Sequence, residues 1–252
     1  MDMKFFEDRR TVRQYTDEPV TDAEIERMVR LASHAPTTGN MQLYSVIVTR
    51  DEDMKRQLAP MHFNQPTVEG CSVVLTFCAD FNRFVRWCEV SDAAPGYSNF
   101  QSFMTAVIDT VIFTQQFCTI AEMSGYGCCY LGTTTYNAPQ IAELLRLPRM
   151  VVPVTTLTLG HVAARPDDCG RLPASAVIHS ERYQDYTPEA IREIYAEKES
   201  RDDSHRFVAE NGKQTLAQVF TDVRYKREDN EHFSRIYRYF IETAGFPFPD
   251  KK

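Results

Sequence analysis

Gln101–Met123, QSFMTAVIDTVIFTQQFCTIAEM, is the stretch on which the fold turns. Phe103, Met104, Val107, Ile108, Val111, Ile112, Phe117 and Ile120 occupy most of a helical circumference, so the segment reads as a helix set in a core or at a subunit interface. Ser124-Gly125 stops it, and the apolar Cys128–Leu131 that follows reads as a short strand. Upstream, Cys71–Ala79 (CSVVLTFCA) is a strand with almost no polar interruption, as expected where both faces are covered. An apolar helix between two buried strands requires helices layered on a sheet.

The remainder supplies those layers. Thr21-Asp-Ala-Glu24 is a capping box that opens a helix through Ile25, Met28, Val29, Leu31 and Ala32, ending near Ala35 before Pro36. Leu43–Thr49 reads as a strand, Asp51 caps a helix toward Leu58, Pro139–Leu145 is helical, and Val151–Leu159 is another buried strand. Pro173–His179 is expected to be extended. Thr187-Pro188 opens a helix to about Glu199, Arg201–Lys213 reads as polar and irregular, and Asp229–Ala244 as an amphipathic helix. Alternating strands and helices indicate an α/β or α+β layered domain with a polar C-terminal third.

Composition narrows the function classes. With 252 residues and 43% hydrophobic residues the chain can bury a large core, which excludes a disordered or fibrous protein. Lys+Arg 28 against Asp+Glu 35 gives a net charge of −7, which argues against a nucleic-acid or anionic-membrane binder but leaves room for a local basic pocket. The opening MDMKFFEDRR has no signal-peptide core, and the longest apolar run, Cys71–Ala79, is far short of the roughly 20 residues that span a bilayer. Seven Cys with no CxxC and no helically spaced His pair point away from metal or a disulfide framework, toward reduced thiols and the cytoplasm.

Neither GxxxxGK[ST] nor a GxGxxG after a strand occurs, which disfavours a P-loop or Rossmann enzyme. Four polar patches stand out instead. Arg9, Arg10, Thr11 and Arg13 offer planar guanidinium forks and a hydroxyl suited to a phosphate, or else form a solvated surface. Pro36-Thr-Thr-Gly-Asn-Met-Gln42 is a small polar loop able to border a planar ligand, or an ordinary connection. Gly125-Tyr-Gly-Cys-Cys-Tyr-Leu-Gly132 invites close packing against its backbone, by a ring or a helix, and Arg171 is a phosphate ligand or a surface charge.

In this order, RRTVRQY (Arg9–Tyr15), HAPTTGNMQ (His34–Gln42), GYGCCYLG (Gly125–Gly132) and RLP (Arg171–Pro173) resemble the FMN-dependent nitroreductase superfamily. FCADFNR (Phe77–Arg83) and LRLPRMVVPVTTLTLGHV (Leu145–Val162) are similar to its oxygen-insensitive nitroreductase and NADPH–flavin oxidoreductase branch. The likeness covers about residues 5–185.

The resemblance implies an α+β fold, a central mixed, mostly antiparallel sheet wrapped by helices, in an intertwined homodimer with FMN at each of two interfaces. Residues 1–185 would form the FMN-binding domain and 186–252 a helical extension packing on the dimer. Arg9, Arg10, Thr11 and Arg171 match the phosphate ligands, and Arg13 the basic residue facing the flavin pyrimidine. Thr37, Thr38, Gly39 and Gln42 fall on the loop lining the ribityl chain and ring, supplied in part by the partner. Gln65 matches a ring-contacting glutamine, and Tyr130, Leu131, Gly132 and Thr133 the segment passing the reactive edge. The cofactor would carry the chemistry with no obligatory catalytic side chain: a hydride comes from NADPH or NADH, and a nitroaromatic, quinone or flavin takes the electrons.

The branch commonly has Lys-Pro-Arg where this chain has Cys169-Gly170-Arg171, so a phosphate partner is missing that Arg9 or Arg165 could replace. Arg201 and Arg206 are the candidates for the 2′-phosphate of NADPH. Two alternatives stay open: a flavin reductase releasing reduced FMN to a partner, and a non-enzymatic thiol sensor built on Cys128-Cys129.

Overall fold

The computed structural model describes residues 3–248. Helices α1 (Lys4–Glu7), α2 (Asp22–Ala32), α3 (Glu52–Leu58), α4 (Pro66–Gly70), α5 (Asn82–Val90), α6 (Phe100–Met123) and α7 (Ala138–Leu144) precede or interleave the strands; α8 (Pro188–Ser200), α9 (Asp202–Glu210), α10 (Leu216–Val219) and α11 (Arg227–Thr243) follow them. The strands are β1 (Gln14–Tyr15), β2 (Tyr44–Thr49), β3 (Val73–Asp80), β4 (Tyr126–Leu131) and β5 (Val151–Ala164). The chain divides into two compact units, one holding everything to Pro166 and again from Phe233, the other Asp167–His232. These divisions fall at other places than the 185/186 boundary of the sequence reading.

In the first unit, β3 pairs with β2 and β5, and β5 also takes β4 and β1; every ladder is antiparallel. All eight residues of β3 are buried, because both faces of the sheet are covered. Val73, Leu75 and Phe77 face Ile25 and Met28 of α2 and Phe113 and Phe117 of α6. The alternate residue Val74 joins Leu58, Val68 and Ile141 in a second cluster. Removing a ring such as Phe117 from this interior would cost about 3–5 kcal/mol.

Local signals account for the boundaries. Thr21 accepts the Glu24 N–H while the Glu24 carboxylate accepts the Thr21 N–H at 2.7 Å, the reciprocal capping box. Asp51 caps α3 through the Met54 N–H at 2.9 Å, and Asn99 caps α6 through the Ser102 N–H at 2.9 Å. By length and composition α6 could cross a membrane, but Phe113, Phe117, Cys118 and Ala121 lie in the core. Its opposite face leaves Ile108, Val111 and Ile112 exposed.

Two expectations are corrected. Pro173–His179 contains a single 3-10 turn, Ala174–Ala176, rather than an extended piece. Arg201–Lys213 is mostly the regular helix α9: Asp202 and Asp203 in its first turn favour the positive helix end, which the polar composition had concealed.

Candidate active site

Two facing glycines set the site's first wall. Gly127 of β4 lies opposite Gly160 of β5. A Cβ on Gly127 would meet Val12 Cγ1 at 2.5 Å, and one on Gly160 would meet the Tyr15 ring at 2.8 Å, so only glycines let the N-terminal strip lie this close. The strip is pinned by Val12 N–H to the Cys128 carbonyl at 3.1 Å and Thr16 N–H to the His161 carbonyl at 2.9 Å. The Tyr15 hydroxyl donates to the Val12 carbonyl at 2.8 Å and sits 2.7 Å from Thr158 Oγ1; burial pushes its pKa up.

With Val12 turned to the sheet, the neighbouring arginines are displayed at its edge. Arg9 Nε donates to Glu122 Oε2 at 3.1 Å, and burial holds the Glu122 carboxyl above its ordinary range despite that guanidinium. Arg9, Arg10 and Arg165 line a pocket of about 200 Å³ with Asp8 and Glu122. Three guanidiniums against two carboxylates leave it net positive. Thr11 is half-buried, and Arg13 is exposed beside Cys129.

The 37–42 loop is organised by a residue the sequence reading did not name. Asp109, buried on α6, accepts the Thr37 hydroxyl at 2.5 Å, the Thr38 N–H at 2.9 Å, the Thr38 hydroxyl at 3.0 Å and the Leu43 N–H at 3.3 Å. The threonine hydroxyls are thus engaged inside the protein. Gly39 has φ +55, Asn40 and Gln42 are left-handed as well, and the Gln42 carbonyl accepts from Arg83. The signal for Asp109 was a carboxylate in the middle of an apolar helix, which must find donors when buried. Along α6, Asp109 and the Arg9 partner Glu122 are about 20 Å apart by the helical rise, so one chain does not gather the loop and the arginines into a single cluster.

Gln65 and Thr133 are brought together: Gln65 Nε2 donates to Thr133 Oγ1 at 3.4 Å, and His62 Nδ1 lies 2.8 Å from the same oxygen. His62 is wholly buried, its Nε2 has no partner, and burial lowers its pKa to about 4. Asn137 Nδ2 donates to the Met61 carbonyl at 2.7 Å, fastening the two loops. The Tyr130 hydroxyl donates to Gln115 at 3.2 Å, Leu131 is buried, and Gly132 has open space above it.

Arg171 belongs to the second unit, where its guanidinium donates to the Gly170 carbonyl at 2.6 Å and contacts Cys169 Sγ at 3.2 Å. Arg201 pairs with Asp203 at 3.0 Å and also donates to the Asp168 carbonyl, whereas Arg206 is exposed on α9. Cys128 and Cys129 are buried on opposite faces of β4 in different clusters. The thiol beside Cys128 is Cys118 of α6, and that contact, with burial, raises the Cys128 pKa. A vicinal sensor has no shared surface here. Among the described residues no group of three His, Cys, Asp or Glu is placed to hold a metal.

Known proteins share this fold. Residues 6–161 match the Nitroreductase family model. The oxygen-insensitive NADPH nitroreductase of Salmonella typhimurium is 37% identical over 175 residues, 69% of this chain and 71% of that protein. The NAD(P)H FMN reductase of Bacillus subtilis is 31% identical over 252 residues, 97% of each. A solved structure from Bacteroides fragilis superposes with a TM-score of 0.95 at 48% identity, covering 97% of this chain and 99% of that one. With the family model spanning more than half the chain and the fold retained nearly end to end, this chain belongs to the nitroreductase family.

Proposed function

We propose that the chain is an FMN-dependent NAD(P)H oxidoreductase that passes electrons to nitroaromatics, quinones or flavins. The observation that carries this is the net-positive pocket of Arg9, Arg10 and Arg165 on a strip fixed to β4, in a chain aligned along its length with an FMN reductase. Its donor set fits a phosphate monoester. Arg9, Arg10 and Thr11 would hold the FMN phosphate, and Arg165, which lines the same pocket, would supply the charge that the family's lysine gives elsewhere. Arg13 would stabilise negative charge at the pyrimidine edge, while Gln65 and Tyr130–Thr133 orient the ring. FMN supplies hydride uptake and release at its ring nitrogen when bound.

The reading includes a homodimer in the cytoplasm. Ile108, Val111 and Ile112 give α6 an exposed apolar face, and a partner would bring its 37–42 loop to the arginines, whereas within one chain the loop's anchor Asp109 and the Arg9 partner Glu122 stand about 20 Å apart along α6. The 186–252 segment would pack on that dimer, and all seven cysteines are free thiols.

The test is direct. Purified protein should be yellow with flavin absorbance, and Arg10→Ala should lose most of its flavin on gel filtration. Full occupancy in that variant would overturn the phosphate assignment. A monomeric mass by light scattering with FMN still bound would overturn the dimer.

A further inference from the structure

The turn before Gln65 is left-handed at two residues that are not glycine, Phe63 at φ +54 and Asn64 at φ +52. Such backbone is unfavourable for residues with a Cβ and persists where its surroundings hold it. Here the Asn64 N–H is held by the Ala59 carbonyl at 2.8 Å and the Gln65 N–H by the His62 carbonyl at 3.2 Å. The turn brings two side chains onto one atom: His62 Nδ1 lies 2.8 Å from Thr133 Oγ1, and Gln65 Nε2 donates to that oxygen at 3.4 Å.

The proton positions follow from what His62 lacks. Its ring is fully buried, and Nε2 has no hydrogen-bond partner among the described residues. A buried N–H without an acceptor is rarer in proteins than an unpaired lone pair, so the imidazole proton belongs on Nδ1, the nitrogen that has a partner. Burial keeps the ring neutral, its pKa lowered to about 4. Thr133 Oγ1 therefore accepts from His62 and again from Gln65, which uses both lone pairs of a hydroxyl. Its own proton is left without a protein acceptor among the described residues, on a half-buried side chain next to the exposed Gly132.

We infer that His62 and Gln65 hold the Thr133 hydroxyl as an obligate donor, presented to a carbonyl oxygen of the flavin ring. The inference rests on the placement of Gln65 and Thr133 at that ring proposed above. A carbonyl accepts in both oxidation states and gains negative charge when the ring is reduced, so a fixed donor favours the reduced cofactor. His62 acts only through Thr133 and is a positioning residue.

The test is the midpoint potential of the bound flavin, read from its absorbance in equilibrium with a reference dye. Thr133→Val should favour the oxidised form about tenfold, a potential lower by about 30 mV for a two-electron couple. His62→Leu should shift the equilibrium the same way by about threefold, and the double variant no further than Thr133→Val alone. His62→Asn, whose amide N–H replaces the one on Nδ1, should keep the wild-type potential. An equilibrium within about twofold of wild type in Thr133→Val would overturn the donor. A His62→Leu shift that His62→Asn shares, or that adds fully in the double variant, would overturn the positioning role. Thr133 is half-buried, so its variant decides the matter even where His62→Leu fails to fold. Flavin content separates the two levels: wild-type protein that takes up no FMN overturns the cofactor reading, whereas flavin-replete variants with unaltered potentials overturn the hydroxyl donor alone.

Discussion

The Asp109 carboxylate fixes Thr37 through one oxygen, at 2.5 Å from its hydroxyl, and Thr38 through the other, at 2.9 Å from its N–H. A single buried anion in the middle of α6 thereby dictates the shape of a loop 71 and 72 residues earlier in the chain. Asp109→Ala should leave several buried donors without partners and destabilise the fold by about 2–4 kcal/mol, measured by urea unfolding. Asp109→Asn keeps one acceptor oxygen and should lose less. Equal stability of wild type and Asp109→Ala would show that the loop finds other partners.

Gly127→Ala tests the seat of the N-terminal strip. The added methyl would overlap Val12, so the strip must lift, with a stability loss of roughly 1–3 kcal/mol from overpacking. FMN titrated by fluorescence should bind more weakly, because Arg9 and Arg10 move with Val12. Gly96→Ala, where a Cβ meets nothing within 4 Å, is the matched control and should bind as wild type.

His62 gives a pH dependence of defined sign. Burial lowers its folded pKa to about 4 from the ordinary 6.5, so the unfolded chain takes up the proton first on acidification. Its stabilising contribution is complete above the unfolded value and is lost as pH falls toward the folded one. The loss approaches about 3 kcal/mol for a shift of this size. Urea midpoints of wild type and His62→Gln should converge or cross between pH 7 and pH 4. Parallel midpoints over that interval would contradict a buried neutral imidazole.

The donor site is tested by changing Arg201 and Arg206 together to Ala, which should raise the KM for NADPH and spare the NADH reaction. Because Arg201 is already paired with Asp203, the expected effect on the NADPH-to-NADH ratio of kcat/KM is about tenfold, the low end for contact to one phosphate. Equal loss with both donors would make the helix structural.

Legibility followed the range of the forces. The capping box Thr21/Glu24 and the buried run of β3 could be read directly, since each is written in adjacent residues. The arginines stood out by residue type, and Gln65 and Thr133 through resemblance, but the partners that fix Arg9 and Thr133, Glu122 and His62, lie 113 and 71 residues from the groups they touch. No local periodicity announces such a contact. The same reason hid the inward turn of Thr37 and Thr38, whose polar loop composition says nothing about a carboxylate on a distant helix.

The glycine floor beneath Val12 and Tyr15 has a consequence in time. The strip bearing the arginines leaves the ribosome before the strands that seat it, and the Thr158 that anchors Tyr15 is 143 residues behind it. At roughly 5–20 residues per second, the strip waits on the order of ten seconds for its floor to be synthesised. Flavin capture is then among the last events of maturation, and a nascent or truncated chain ending before β5 should stay colourless however much of its helix content has formed. Colour in such a cell extract would count finished sheets rather than chains.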